Sequence, residues 1–392
     1  MILLTHMLNT LRDFLDALRS LKQFKALPSS KREIVLYSEG RVYWPHFEPL
    51  LHFLWHEYKQ EVVYLTSDKH DPALYHPVQG ITAFYIGSGS IRTMVFATMK
   101  ATIVLMTMPD LQTYYIKRSP YVKEYVYIHH AMMSCHMAYL PTAFDNFDTI
   151  LCTGPYQIDE IRAREKQKDL PAKRLIEHGY GRLDALIKEV ALEPVQRLLV
   201  CDQPCVLIAP SWGKNALLDH LGSDFIEPLL IAGFQVILRP HPQTWRIQRP
   251  MLEGINVRYQ AHENFSLEDN VASKESLIKA DVMISDWSGA ALEFALARLK
   301  PVLFVDVPRK VNNPSYQKLG IEPFEVRVRQ SLGISVHEVD AGNMVDAVLT
   351  IIKDQDKWGE RIRAIRDSSV YNLGQSGLVG AKTLMARLAA YQ

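Results

Sequence analysis

Three short polar clusters stand out in the second half of the chain, each directly after a run of β-branched and apolar residues. Pro210-Ser211-Trp212-Gly213-Lys214 follows Cys205–Ala209, and Arg239-Pro240-His241-Pro242 follows Phe234–Leu238. Asp286-Trp287-Ser288-Gly289-Ala290 follows Asp281–Ser285 and opens a helical stretch that carries Glu293. Hydroxyls and backbone N–H groups at a helix start suit phosphate oxygens. A carboxylate one turn further in, Glu293, suits ribose hydroxyls. Ligands of open parallel sheets bind beyond the carboxyl ends of the strands. Three such strand ends describe a nucleotide-diphosphate site built from Ser211, Trp212, Lys214, Arg239, Ser285, Asp286, Ser288, Gly289 and Glu293. Each cluster alone has a plainer reading: Ser-Asp-x-Ser as a helix N-cap, and Arg-Pro-His-Pro as a rigid loop around a packing histidine.

The first half adds Tyr127-Ile128-His129-His130-Ala131 and then Ser134-Cys135-His136. His129 and His130 end a strand and point to opposite sides, so one of the two faces a ligand. A lone histidine there suits proton transfer, because its ordinary pKa lies near working pH. His136 is a candidate for the acceptor side, as is Arg182 in Gly179-Tyr180-Gly181-Arg182-Leu183-Asp184, where the glycines permit a tight turn. The spacing from His130 to His136 is not the i, i+4 of helical metal-binding pairs, and no carboxylate lies close by in sequence. With no Asp-x-Asp pair either, no metal site is assigned. The chemistry requires no cofactor, and a divalent cation stays compatible with it.

The elements that must position these residues follow from periodicity. Strands are expected at Glu33–Ser38, Glu61–Thr66, Ile81–Ile86, Thr102–Thr107, Glu124–Ile128 and Thr149–Thr153. A second series is expected at Cys205–Ala209, Phe234–Leu238, Ile255–Tyr259, Asp281–Ser285 and Val302–Val305. Helix-length connections between such runs mark parallel sheets covered on both faces. The expected fold class is therefore α/β, with two Rossmann-like domains facing a cleft: 31–190 for the acceptor and 191–375 for the nucleotide donor. Before them, residues 1–30 hold an amphipathic helix, with Leu4, Leu8, Leu11, Leu15 and Leu18 at helical spacing. That helix packs on the protein's own surface or a twin subunit, or it lies through residues 1–27 in a membrane interface. After them, residues 376–392 read as a helix that packs back on the first domain.

Length and composition bound the function. A chain of 392 residues with 48% hydrophobic and 22% charged residues fits two soluble domains. Lysine and arginine number 44 against 43 acids, a balance that argues against nucleic-acid binding. Four cysteines, Cys135, Cys152, Cys201 and Cys205, do not make a disulfide scaffold in a chain this long. Cys201 and Cys205 lack the two-residue spacing of a zinc or redox pair, so buried thiols are expected. No secretory signal or membrane-length apolar run is visible. A cytoplasmic protein is expected, with the inner face of the cell membrane as its alternative station.

Taken together, Gly179–Asp184, Ala209-Pro210-Ser211-Trp212, Arg239-Pro240-His241-Pro242, Ser285-Asp286-Trp287-Ser288 and Lys300-Pro301 resemble the CDP-glycerol glycerophosphotransferase family. The resemblance runs from about Tyr127 to Pro301. It implies a GT-B-type fold and a role in teichoic-acid or capsule polymer synthesis. It also implies transfer of glycerol phosphate, or a similar alditol phosphate, from a CDP-linked donor to a hydroxyl of a glycan or polymer acceptor, with release of CMP. The family's two catalytic histidines fall on His130 and His241. Ala131 stands where the family has Gly after its first histidine, Glu293 replaces an Asp, and Gly213-Lys214 replaces Arg-Asp. Under this reading His130 deprotonates the acceptor, while His241, Arg239, Ser211, Ser285 and Ser288 stabilise phosphate charge. Two alternatives keep the nucleotide site: a GT-B glycosyltransferase using a UDP-sugar or CMP-Kdo, and a non-catalytic nucleotide-binding scaffold.

Overall fold

The structure is a computed structural model that describes residues 2–113, 116–192, 203–270, 273–337 and 343–392, with the side chains of 2–9 left aside. The chain divides into two compact units. The first gathers residues 1–130, 140–182 and 371–392, and the second gathers 131–139 and 183–370. These bounds differ from the sequence expectation. The junction falls at 182/183, inside the helix Gly181–Leu192, because that helix starts against Pro49 and His46 of the first unit. Residues 131–139 cluster with the second unit, although they follow a strand of the first.

The first unit is built on β1 (Ile34–Ser38), β2 (Val62–Thr66), β3 (Ile81–Tyr85), β4 (Ala101–Met106), β5 (Val122–Ile128), β6 (Thr149–Cys152) and β7 (Arg174–Glu177). They pair in the order β3-β2-β1-β4-β5-β6-β7, and every pairing is parallel. β1, β2 and β6 are buried along their whole length, as strands covered on both faces must be. Ile34, Leu36, Tyr64, Leu105 and Val126 pack with Phe47, Leu50 and Leu54 of the helix Trp44–Tyr58. The C-terminal helix Ser376–Ala389 closes the same core through Ala381, Leu384 and Leu388. Its approach is close enough to demand glycine. A Cβ on Gly377 would lie 2.6 Å from the Pro49 carbonyl, and one on Gly380 would lie 2.6 Å from Leu50.

The second unit carries β8 (Cys205–Ile208), β9 (Gln235–Leu238), β10 (Phe265–Leu267), β11 (Val282–Ser285), β12 (Val302–Asp306) and β13 (Gly333–His337). The order is β10-β9-β8-β11-β12-β13, again parallel throughout. In each sheet the strand order reverses once, between β1 and β4 and between β8 and β11. Ligands of doubly wound sheets bind at the carboxyl side of that reversal.

One expected strand is absent: Ile255–Tyr259 belongs to the helix Arg249–Tyr259. Leu252, Ile255 and Tyr259 form its buried face at helical spacing, and Pro250 sits in its first turn. The adjacent strand is β10. The N-terminal helix Ile2–Ala26 is not a separate element either. Ala17, Leu21 and Phe24 are buried, Phe24 lies edge-on to Phe84 at 6.1 Å, and Leu11, Phe14 and Leu15 stay exposed. Among the described residues no helix is long and apolar enough to cross a membrane. Cys135, Cys152 and Cys205 are buried, and burial pushes the Cys152 thiol up to about 12. Cys201 lies outside the described residues, as does the start of the expected donor domain at 191–202 beyond Leu192.

Phe24→Ala should destabilise the chain by about 3–5 kcal/mol, the range for deleting a buried aromatic. Leu15→Ala should cost under about 0.5 kcal/mol. Urea midpoints of the two variants measure the contrast. Acid should also unfold the first unit. Burial holds His129 at about 3 and His178 at about 4, both below the ordinary 6.5. The unfolded chain therefore binds protons that the folded chain refuses. Stability is complete above pH about 6.5 and falls as pH drops toward 4 and 3. His129→Phe should flatten part of that fall in a pH series of urea melts.

Candidate functional site

The carboxyl ends of β8 and β11 are tied together by one side chain. Asp286, directly after β11, accepts from the Ser211 backbone N–H at 2.6 Å, the Ser211 hydroxyl at 2.8 Å and the Leu217 N–H at 2.8 Å. It is 1% exposed, and burial raises its pKa against the pull of those hydrogen bonds. Next to it the Ser285 hydroxyl donates to the Ala209 carbonyl at 2.6 Å and is fully buried. Ser285 and Asp286, expected at the nucleotide, thus both hold the β8 loop in place. The Ser211 hydroxyl is likewise spent on Asp286.

Arg239 also makes internal contacts. Its Nη1 donates to Ser276 Oγ at 2.8 Å and to Glu268 at 3.2 Å, with the side chain 6% exposed. Glu293 is buried on the helix Gly289–Arg298. Ser288 caps that helix by accepting from Ala290 N–H, an arrangement that leaves its hydroxyl proton to donate outward. Gly289 is the first helical residue. Lys214 is exposed beside Gly213, whose φ of +102° makes the turn.

His241, just past β9, has a defined tautomer. Its Nδ1 accepts from Gln243 N–H at 3.1 Å, so the neutral ring carries its proton on Nε2. The Trp212 indole stands 5.9 Å from this ring at a tilt of 32°, and Lys310 Nζ lies 4.0 Å from the indole centroid. Lys310 escaped the sequence reading, although it follows β12 as the other motifs follow their strands.

In the first unit His130 sits just past β5, beside the reversal between β1 and β4. Its Nδ1 lies 2.9 Å from the Thr107 carbonyl at the end of β4. A carbonyl only accepts, so Nδ1 carries the proton and the neutral ring keeps its lone pair on Nε2. The Tyr180 hydroxyl donates to the His130 carbonyl at 3.0 Å. Tyr43 lies edge-on at 5.5 Å and His46 at 6.4 Å. Both follow β1, and both were missed because the loop after β1 shows no paired motif. His46 is buried with its pKa well lowered, by burial first and then by the charges of Arg182 and His130. Arg182 is thus placed beside this cluster. His129 turns the other way, 1% exposed between Tyr127 and Phe144. His136 belongs to the second unit, where its Nε2 donates to the Ile321 carbonyl at 3.0 Å, so its ring is tied to a loop of that unit. Among the described residues no group of three or more His, Cys, Asp or Glu side chains is placed to hold a metal ion.

The family described as CDP-Glycerol:Poly(glycerophosphate) glycerophosphotransferase matches residues 22–308. No curated protein matches the chain in sequence. Among solved structures, the wall teichoic acid polymerase TagF is similar at a TM-score of 0.63 and 14% identity, covering 98% of each chain. A UDP-GlcNAc 2-epimerase from Neisseria meningitidis is similar at 0.59 and 13% identity, over 90% of this chain and 99% of that one. A putative UDP-N-acetylglucosamine 2-epimerase from Listeria monocytogenes gives 0.60 and 14%, over 92% and 96%. At these identities the likeness establishes the fold, which is α/β of the GT-B type.

Asp286→Asn should lower stability by about 2–4 kcal/mol, because an amide oxygen cannot accept all three donors and leaves buried ones unpaired. Thermal unfolding measures it, and Ser211→Ala should cost less, since the backbone bond remains.

Proposed function

The chain belongs to the CDP-Glycerol:Poly(glycerophosphate) glycerophosphotransferase family, and on that premise we propose that it moves an alditol phosphate from a CDP-linked donor to a hydroxyl of a cell-surface glycan or polymer. The observation that carries this reading is the opposite protonation of the two histidines. His130 keeps a lone pair on Nε2 because its Nδ1–H donates to the Thr107 carbonyl. His241 keeps a proton on Nε2 because Gln243 N–H occupies its Nδ1. One is set up as a base and the other as a hydrogen-bond donor.

The reaction then balances without further groups. The acceptor hydroxyl gives its proton to His130 Nε2, and its oxygen bonds to the β-phosphorus of the donor. The bond from that phosphorus to the bridging oxygen breaks, and the electron pair leaves with CMP. His241 Nε2–H donates to a phosphate oxygen, as does the Ser288 hydroxyl. A neutral imidazole donates a hydrogen bond here, not its proton, so its contribution is electrostatic. Such a site needs no metal cofactor in this reading, since the charge is met by protein donors. A solved relative lends support: TagF carrying a histidine-to-asparagine substitution was soaked with CDPG, and that structure is similar at a TM-score of 0.61 and 14% identity.

Release of CMP from CDP-glycerol and CDP-ribitol, set against CMP-Kdo and UDP-sugars, tests the reaction. Turnover of UDP-sugars alone would replace it with glycosyl transfer, and binding without turnover would leave a nucleotide-binding scaffold. His130→Ala should cut turnover by about 10²–10⁴-fold while CDP affinity stays near wild type. His241→Ala should lose turnover and weaken CDP binding. Unchanged turnover in His130→Ala ends the proposed mechanism.

A further inference from the structure

Two cations near the carboxyl edge of the second sheet are already committed. Arg239 is held by Glu268 and Arg329 by Asp306. Lys310 is different. It lies four residues past the end of β12 and is half-buried, and its ammonium rests on the indole face of Trp212 at 4.0 Å. Among the described residues it meets no carboxylate at ion-pair distance and makes no hydrogen bond. An aromatic face eases desolvation of a cation, but it satisfies none of the three N–H donors of an ammonium. That combination fits an anionic ligand that brings its own oxygens.

The surroundings say which anion. β9, β8, β11 and β12 are consecutive in the sheet. His241, Trp212, Asp286 and Lys310 therefore come off four neighbouring strand ends, with the imidazole and the ammonium both beside the indole. The His241 ring stands 5.9 Å from the indole and Lys310 Nζ 4.0 Å from it. An imidazole and an ammonium gathered on one aromatic ring match two linked phosphates better than a single carboxylate. Asp286, the nearby acid, already accepts three hydrogen bonds and attracts the ammonium from beyond ion-pair distance.

We propose that Lys310, seated on Trp212, is the cation that binds the diphosphate of the nucleotide donor. This rests on the reading of the second unit as the donor side. A consequence is a built-in pH limit. Burial lowers the lysine pKa to about 8 against the pull of Asp286. Arg309, the neighbouring cation, sits over Trp287 instead. Below that pH the lysine is charged and binds phosphate. Above it, the free protein must take up a proton to bind, and affinity falls by up to about tenfold per pH unit. Phosphate and histidine have finished titrating by then, so neither produces the same trend.

Titration calorimetry of the full chain with CDP, inorganic pyrophosphate and cytidine, from pH 6.5 to 10, tests this. Wild type should bind CDP and pyrophosphate with an affinity that declines above pH about 8, and cytidine without such a decline. Lys310→Gln should weaken CDP and pyrophosphate by about 10–100-fold at pH 7, as expected for a lost charged hydrogen bond, and should flatten the pH profile. Lys310→Arg should keep affinity and remove the decline. Equal CDP and pyrophosphate affinity in wild type and Lys310→Gln, with matching thermal melts, overturns the proposal and leaves the donor reading standing. Pyrophosphate binding that depends on Lys310 in a protein that ignores CDP keeps the lysine and removes the cytidine donor. Binding of neither probe by wild type overturns both.

Discussion

A carboxylate almost fully removed from water sets the arrangement of the second unit. Asp286 bears a desolvation cost that its three hydrogen bonds to Ser211 and Leu217 help to offset. Those bonds pin the backbone of Ser211 and the start of the helix Leu217–Leu221 to the end of β11. Trp212 is the next residue after Ser211, so its place beside His241 and under Lys310 follows from the same anchor. The serine of the β11 motif reinforces the tie through the Ala209 carbonyl. Residues that look like ligand contacts in sequence thus spend their polarity on holding Trp212 in its place.

The two units use backbone groups in opposite senses to prepare a histidine. A carbonyl past β4 fixes one ring, and an amide in the first turn after β9 fixes the other. Both of these partners are backbone groups, and the Tyr127 hydroxyl, 3.2 Å from His130 Nδ1, adds a side-chain contact to the first ring. The protonation pattern is a property of the fold. Packing adds to it in the first unit, where Tyr43 and His46 crowd the His130 ring.

Central strands were legible in the sequence because burial on both faces writes them as unbroken apolar runs, as in Ile34–Ser38 or Val282–Ser285. The strands that escaped notice, Arg174–Glu177, Phe265–Leu267 and Gly333–His337, all lie at sheet edges, where solvent interrupts the run. Ile255–Tyr259 misled because Ile-Asn-Val-Arg-Tyr alternates like a strand, and only the longer window with Leu252 exposes the helical period. The histidines, Trp212 and Ser288 were recognisable from their strand-end positions. What each polar group bonds to was not, since Glu268, Ser276 and Thr107 are remote in sequence from their partners. Lys310 was hidden because a lone basic residue after a strand carries no signal until Trp212 is seen beneath it.

The return of residues 371–392 to the first unit has a bearing on how the protein is made. When residue 370 has been synthesised, every segment of the second unit exists, while the first still lacks the helix that covers Leu50 and Leu54. The unit that begins at the N-terminus is therefore the last to be completed on the ribosome, contrary to the usual N-to-C order. Until then its apolar surface beside Pro49 stays open to the cell's chaperones. A chain cut before Ser376 would carry every segment of the second unit joined to a first unit that lacks its closing helix.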